Sequence, residues 1–240
     1  MNFIIPMAGA GSRFKKAGFD RPKMLLEAHD KTLLEWSVDS LPLELCTNLI
    51  FIGLKKHKES YNLETFIKNK YSKYNLKFLW LNEITRGQAE TVYKARDLID
   101  FDTDLVIFNI DTFFISDTLK KNLLKNNIDG VLEAFESSED RFSYANLDEN
   151  GFVNKTAEKI AISNYALTGL YHFKYPKDFF DICKKHIENN ILHKNEFYIA
   201  PMYNELIKQG KKFIIDLAKE HWILGTPKEY EAFLNEYIKK

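Results

Sequence analysis

The sequence predicts an α/β fold, a doubly wound and mainly parallel sheet in a single domain, and three observations carry that reading. Short apolar runs alternate with longer segments of helical period as far as residue 108. The first of these runs empties into a glycine-rich turn, and the fourth ends on an aspartate. No Gly/Ser/Pro linker and no internal repeat breaks the 240 residues, a length that suits one α/β domain better than two.

In chain order, Phe3-Ile4-Ile5 is a buried strand. Residues Thr32 to Leu41 carry apolar side chains at helical spacing, and Pro42 stops that helix. Leu49 to Leu54 is a second strand, Lys55 to Tyr71 a polar helical stretch, and Leu76 to Leu81 a third strand. Gln88 to Leu98 follows as a helix, and Leu105 to Phe108 as the fourth strand, ending in Asn109-Ile110-Asp111. Strand and helix alternating at this spacing describe a Rossmann-like sheet, which binds ligands outside the carboxyl ends of its strands. After residue 128 the pattern changes. Gly130 to Phe135, Tyr144 to Leu147 and Gly169 to Phe173 are short strands, followed by helices near 176–190 and 197–209. A strand at Phe213-Ile214-Ile215 and a helix from Pro227 complete the chain. This half, 129–240, is expected to elaborate the one domain begun by 1–128 and not to form a separate one.

Composition narrows the function. Lys+Arg 34 against Asp+Glu 34 gives no net charge, which argues against a nucleic-acid protein or a polybasic membrane binder. Hydrophobic content of 45% supports a large core. No apolar stretch approaches the roughly 18 residues of a membrane helix, and Met1 to Gly9 lacks the pattern of a signal peptide. Cys46 and Cys183 form no CxxC, which fits a reducing compartment; a cytoplasmic location is expected. The six histidines show no metal-ligand spacing, and Lys55-Lys56-His57-Lys58 reads as a solvated helix end.

The densest chemical signal is Met7-Ala8-Gly9-Ala10-Gly11-Ser12-Arg13-Phe14, followed by Arg21-Pro22-Lys23. A strand emptying into Gly-x-Gly-x-Arg lets the backbone approach a polyanion, with the amides of Gly11 and Ser12 free to meet phosphate oxygens. Arg13 adds a forked donor and Lys23 a movable point charge. Only five arginines occur in the chain, and two of them fall in this stretch. The absence of Gly-Lys-Ser/Thr excludes a P-loop, and Phe14 in place of a third glycine excludes the dinucleotide fingerprint. A methyltransferase-like glycine loop stays open as an alternative, although it would not need Arg13 and Lys23. Asp111 closes an apolar strand, where a carboxylate has little structural purpose beyond a turn; a hard cation such as Mg²⁺ would use it.

Ala8 to Arg13 with Arg21-Pro22-Lys23 resembles the signature of sugar-nucleotidyltransferase-like enzymes, which join a nucleoside triphosphate to a phosphate monoester and release pyrophosphate. The resemblance continues in order through Gly87-Gln88-Ala89, Asn109-Ile110-Asp111, Glu158-Lys159, Thr168-Gly169-Leu170-Tyr171 and Gly225-Thr226-Pro227. It implies Arg13 and Lys23 as catalytic residues, holding the leaving pyrophosphate portion and the α-phosphate. It implies Ala8, Gly9, Ala10, Gly11, Ser12, Gly87 and Gln88 as nucleotide-binding. Glu158, Lys159, Thr168, Gly169 and Glu196 would form the acceptor side, although a surface ion pair also explains Glu158-Lys159 and a helix start also explains Asn195 to Tyr198. Asp111 would hold Mg²⁺. Many such enzymes carry a second metal-binding aspartate where this chain has Ile223; water, Asp216 or Glu220 would then stand in.

Within that group the resemblance points to cytidylyl- and uridylyltransferases of surface-polysaccharide (capsule) pathways. It implies CTP as donor and a small acceptor such as phosphoglutamine. A hexose 1-phosphate, taken by a uridylyl-, thymidylyl- or cytidylyltransferase, is the second expectation. A nucleotide-binding module without turnover is the third.

Overall fold

The computed structural model describes residues 1–238. Strand β1 (Asn2–Pro6) sits between two cores, with Phe3 and Ile5 facing one and Ile4 the other. Alternate side chains of a strand point to opposite faces, so a strand covered on both sides reads as an unbroken apolar run. The glycine turn leads to a short helix, α1 (Ser12–Lys16), and the small hairpin of β2 (Glu27–Ala28) and β3 (Lys31–Thr32) leads to α2 (Leu33–Asp39). Thr32 caps α2 reciprocally: its hydroxyl accepts from Glu35 N, and its own N–H donates to the Glu35 carboxylate.

Strand β4 (Asn48–Leu54) is followed by α3 (Lys55–Tyr61) and α4 (Leu63–Lys70). The expected single helix over 55–71 is thus two, divided at Asn62, whose left-handed φ of 50° a helix cannot carry through. Strand β5 (Leu76–Leu81), helix α5 (Gln88–Tyr93) and strand β6 (Leu105–Phe108) complete the first half.

The second half holds β7 (Thr112–Ile115), α6 (Leu119–Leu123), β8 (Gly130–Glu136), β9 (Ser143–Leu147), β10 (Val153–Glu158) and β11 (Tyr165–Phe173). Helices α7 (Pro176–Glu188) and α8 (Tyr203–Lys208), strands β12 (Phe213–Leu217) and β13 (Glu220–Ile223), and helix α9 (Pro227–Glu236) follow. The helix expected over 197–209 begins only with a 3₁₀ turn at Ala200–Met202. Residues before it form a tight turn and a short extended strap.

The main sheet runs β10-β9-β11-β6-β1-β4-β5, with β8 also on β11 and β12 on β8. Strands β6, β1, β4 and β5 are mutually parallel, in the register Ile4↔Ile50 and Ile4↔Ile107. Strand β11 enters antiparallel to β6 and breaks register with β8 between Leu167 and Tyr171. Helices α5, α7 and α8 cover one face; α2, α4 and α6 cover the other. Strands β7 and β13 form a separate antiparallel ribbon, with Thr112 opposite Ile223. No helix among the described residues is long and apolar enough to cross a membrane.

Candidate active site

The loops beyond the carboxyl ends of β1, β4 and β6 enclose a cavity of about 680 Å³, on the edge where a parallel sheet leaves its loops free to bind. Ala8, Gly9, Ala10 and Gly11 line it. Gly11 holds φ at 61°, a left-handed turn that glycine adopts without strain. A Cβ on Gly9 or Gly11 would meet nothing within 4 Å, so the backbone there faces open space with no side chain to hold a ligand away.

Pro22 leads into the 3₁₀ turn that places Lys23, whose Nζ donates to Asp111 Oδ2 at 2.8 Å. Both side chains are largely buried, at 17% and 31% exposure. Asp111 lies just past β6, and its carbonyl accepts from Leu224 N at 2.7 Å. That bond draws in the Gly225-Thr226-Pro227 turn, where Thr226 caps α9 by accepting from Glu229 N. Ser12 and Arg13 are exposed and stand outside the cavity wall. The Arg13 guanidinium nevertheless approaches the Asp111 end: its Nη1 is 4.0 Å from where a side chain on Gly225 would begin, a point 3.5 Å from Asp111 Oδ2.

Gly87 and Gln88 form the opposite wall. Gly87 has φ at 148°, and a Cβ on it would lie 2.5 Å from Phe197 N. This close approach lets Phe197 N donate to Arg86 O and Phe197 O accept from Ala89 N. Glu196 and Asn195 reach the cavity through this contact.

Glu158, Lys159, Thr168 and Gly169 are not in the cavity wall. Glu158 ends β10, is 8% exposed and accepts from the Ser143 hydroxyl. Burial raises its carboxyl, against the pull of the adjacent Lys159 ammonium. Lys159 has a left-handed φ of 55°, and its Nζ donates to the Tyr198 phenol oxygen at 2.5 Å. The Thr168 hydroxyl is buried and donates to Glu133 O. Gly169, at φ 95°, is glycine because the Asn109 side chain lies where a Cβ would be.

The sequence assigns no role in the site to Lys15, Asn109 or His57, yet all three line the cavity. Lys15 could have been found, since it lies one helical turn beyond Ser12. His57 corrects the solvated helix end: α3 begins at Lys55, and the imidazole is 7% exposed. Its pKa is lowered by burial and then by the nearby charges of Lys56 and Lys15, so the ring is neutral at pH 7.

Among the described residues no group of three or more His, Cys, Asp or Glu side chains is gathered for a metal. Asp111 alone still suits Mg²⁺, which commonly takes one or two carboxylates and completes its shell with phosphates and water. The two substitutes for the missing aspartate do not fit. The Asp216 oxygens accept from Ser116, Thr118 and Asn122. Glu220 sits three pairs along the β7–β13 ribbon from Ile223, opposite Ile115. Ile223 itself packs with the apolar cluster of Phe135, Tyr144 and Ala166.

Comparison with known proteins gives the family and relatives of the fold. A model of the nucleotidyl transferase family matches residues 3–240. The crystal structure of a nucleoside-diphosphate-sugar pyrophosphorylase from Vibrio cholerae RC9 is 35% identical, with TM-score 0.83, over 98% of this chain and 100% of that one. The inositol-1-phosphate CTP transferase from T. maritima shares the fold at 14% identity, with TM-score 0.75, over 100% of this chain and 98% of that one. Among curated proteins, the CTP:phosphoglutamine cytidylyltransferase of Campylobacter jejuni is 27% identical over 132 residues, covering 50% of this chain and 47% of that protein. The chain spans about half the length of the curated relatives it matches.

Proposed function

The chain belongs to the nucleotidyl transferase family, and we propose that it transfers a nucleoside monophosphate from a triphosphate, CTP in the first reading, to a small phosphate monoester. Phosphoglutamine is the first acceptor, with pyrophosphate as the other product and surface-polysaccharide (capsule) assembly as the setting. The observation that carries the proposal is the single cavity that gathers Gly9, Gly11, Lys15, Lys23, Gln88 and Asp111. Backbone, cations and one carboxylate at a strand edge are what a triphosphate and a hard cation need.

In the proposed reaction an acceptor phosphate oxygen attacks the α-phosphorus in line, and the bond to pyrophosphate breaks. A phosphate monoester is already anionic at neutral pH, so no protein nucleophile or base is required. The work left to the protein is to overcome anion–anion repulsion and fix geometry. Lys23 serves the α-phosphate, Arg13 and Lys15 the departing end, and Lys159 the acceptor phosphate. Mg²⁺ held by Asp111 would neutralise phosphate charge. Gln88 offers a donor and an acceptor to a pyrimidine edge.

The name of the Campylobacter protein favours CTP and phosphoglutamine. That of the more similar Vibrio protein, a nucleoside-diphosphate-sugar pyrophosphorylase, favours a sugar acceptor, in line with the second reading, a hexose 1-phosphate. A binding module without turnover is the third; Ile223 supports it, and the joint presence of Asp111, Lys23 and Arg13 opposes it.

The test is pyrophosphate release with Mg²⁺, crossing CTP, UTP, dTTP and GTP with phosphoglutamine and a panel of hexose 1-phosphates. Release with one pair, abolished in Asp111→Ala, is expected. Nucleotide binding without release from any pair would favour the module reading.

A further inference from the structure

Resting on the acceptor role of Lys159, we propose that Tyr198 is a positioning residue, holding the Lys159 ammonium for the acceptor phosphate and tying it to the turn that carries the nucleotide. The lysine is unusual in its backbone as well as its contacts. Its φ of 55° is left-handed, a conformation rare outside glycine and asparagine, and its N–H is fixed on Phe142 O at 2.9 Å. From that anchored start the side chain reaches Tyr198, donating to the phenol oxygen at 2.5 Å with the ammonium 4.8 Å from the ring centre. An ammonium has three protons, so one spent on Tyr198 leaves two for a phosphate. A lysine stem held at its tip gives up less freedom when a ligand arrives, which is how preorganisation raises affinity.

The segment bearing Tyr198 also reaches the nucleotide wall. Lys194 and Asn195 both have positive φ, 49° and 66°, while His193 and Glu196 exchange two 2.9 Å backbone bonds. This is a two-residue turn of type I′. It delivers Asn195 and Glu196 to the cavity, and the next residue, Phe197, bonds on both sides of Gly87. Residues 195–198 thus form a strap with the base-side turn at one end and the acceptor lysine at the other. Against desolvation, the bond to Tyr198 first and then the nearby Glu158 and Glu196 raise the pKa of Lys159, so the ammonium stays charged.

The test is a double-mutant cycle on Tyr198→Phe and Lys159→Met, read by calorimetry with inorganic phosphate and glucose 1-phosphate as probes. The protein is first saturated with Mg²⁺ and a non-hydrolysable CTP analogue. Losing a hydrogen bond to a charged group should weaken the phosphate probe by about tenfold in Tyr198→Phe, with analogue affinity unchanged. In the Lys159→Met background the tyrosine change should then cost nothing. Equal losses in both backgrounds, or an undiminished phosphate affinity in Tyr198→Phe, would overturn the proposal. If wild type binds the analogue but neither probe, the acceptor role of Lys159 fails first. Phosphate affinity undiminished in Lys159→Met removes that role in the same way.

Discussion

The ammonium of Lys23 lies 2.8 Å from Oδ2 of Asp111, joining the glycine-turn segment to the end of β6 across 88 residues of sequence. Each charge neutralises the other in a place where neither has full access to water. On the proposed function a triphosphate would claim the lysine and a divalent cation the aspartate, so that ligand binding would exchange partners without exposing either charge. This makes the two variants opposite in sign. Asp111→Asn should bind metal-free triphosphate more tightly, because the lysine is released and a repelling carboxylate is gone. Lys23→Met should bind it more weakly. Both should lose turnover by about a hundredfold or more. Calorimetry with triphosphate and EDTA checks the first pair, and pyrophosphate release the second; equal weakening of metal-free binding in both variants would sink the exchange.

Gly87 and Gly9 are predicted to tolerate a methyl group very differently. At Gly87 the new Cβ would stand 2.5 Å from Phe197 N at a φ of 148°, so the strap or the turn must shift, at about 1–3 kcal/mol. Gly87→Ala should therefore lower both the melting temperature and the affinity for nucleotide. At Gly9 a Cβ meets nothing within 4 Å. Gly9→Ala should melt like wild type while binding triphosphate less well, because the methyl group occupies the approach to the backbone. A thermal scan with and without CTP distinguishes the two.

Lys15 lines the cavity from the solvent-exposed helix α1. Its attraction for a triphosphate is a screened, surface interaction. Lys15→Ala should weaken triphosphate binding by roughly three- to tenfold at low salt, with the difference shrinking as salt rises toward 1 M. For Lys23→Met, where the lysine is 17% exposed, the loss should persist. A salt series of dissociation constants checks the contrast.

What is legible in the sequence follows the range of the forces involved. Strands β1, β4, β5 and β6 are legible because burial on both faces forces continuous apolar runs. The glycine turn with Lys23, and Asp111 at the end of a strand, stand out because their residue types conflict with an ordinary core. Strands β7, β10 and β13 do not. Thr112 to Ile115 and Glu220 to Ile223 pair with each other across more than a hundred residues, and β10 reads as Val-Asn-Lys-Thr-Ala-Glu, with little apolar signal. The break at Asn62 is hidden because asparagine is ordinary in a polar helix until its φ is known. The strap at 195–198 resembles a helix start in sequence, since a type I′ turn with lysine at its first central position lacks the usual Asn-Gly signature. His57 looks solvated because its three lysine neighbours set the local composition, whereas the helix phase buries it.

Glu133 supplies a prediction about pH. It stands opposite Asp216 in the β8–β12 register, and the two residues are 0% and 1% exposed. The Asp216 oxygens accept from Ser116, Thr118 and Asn122, whereas neither Glu133 oxygen meets a donor. Burial first, and the Asp216 carboxylate second, push the Glu133 carboxyl from 4.5 to about 11. Glu133 is therefore a neutral acid in the folded protein, able to share its proton with Asp216. Between pH 4.5 and about 11 the unfolded chain has lost this proton and the native state retains it. The contribution to stability is thus complete below pH 4.5 and declines as pH rises. Glu133→Gln keeps a donor facing Asp216 but has no proton to lose. Its advantage over wild type should grow steadily from about pH 5 to about pH 9 in urea unfolding at fixed ionic strength. Parallel stability curves for the two proteins would mean that Glu133 is ionised in the native state, with a compensating cation beside it.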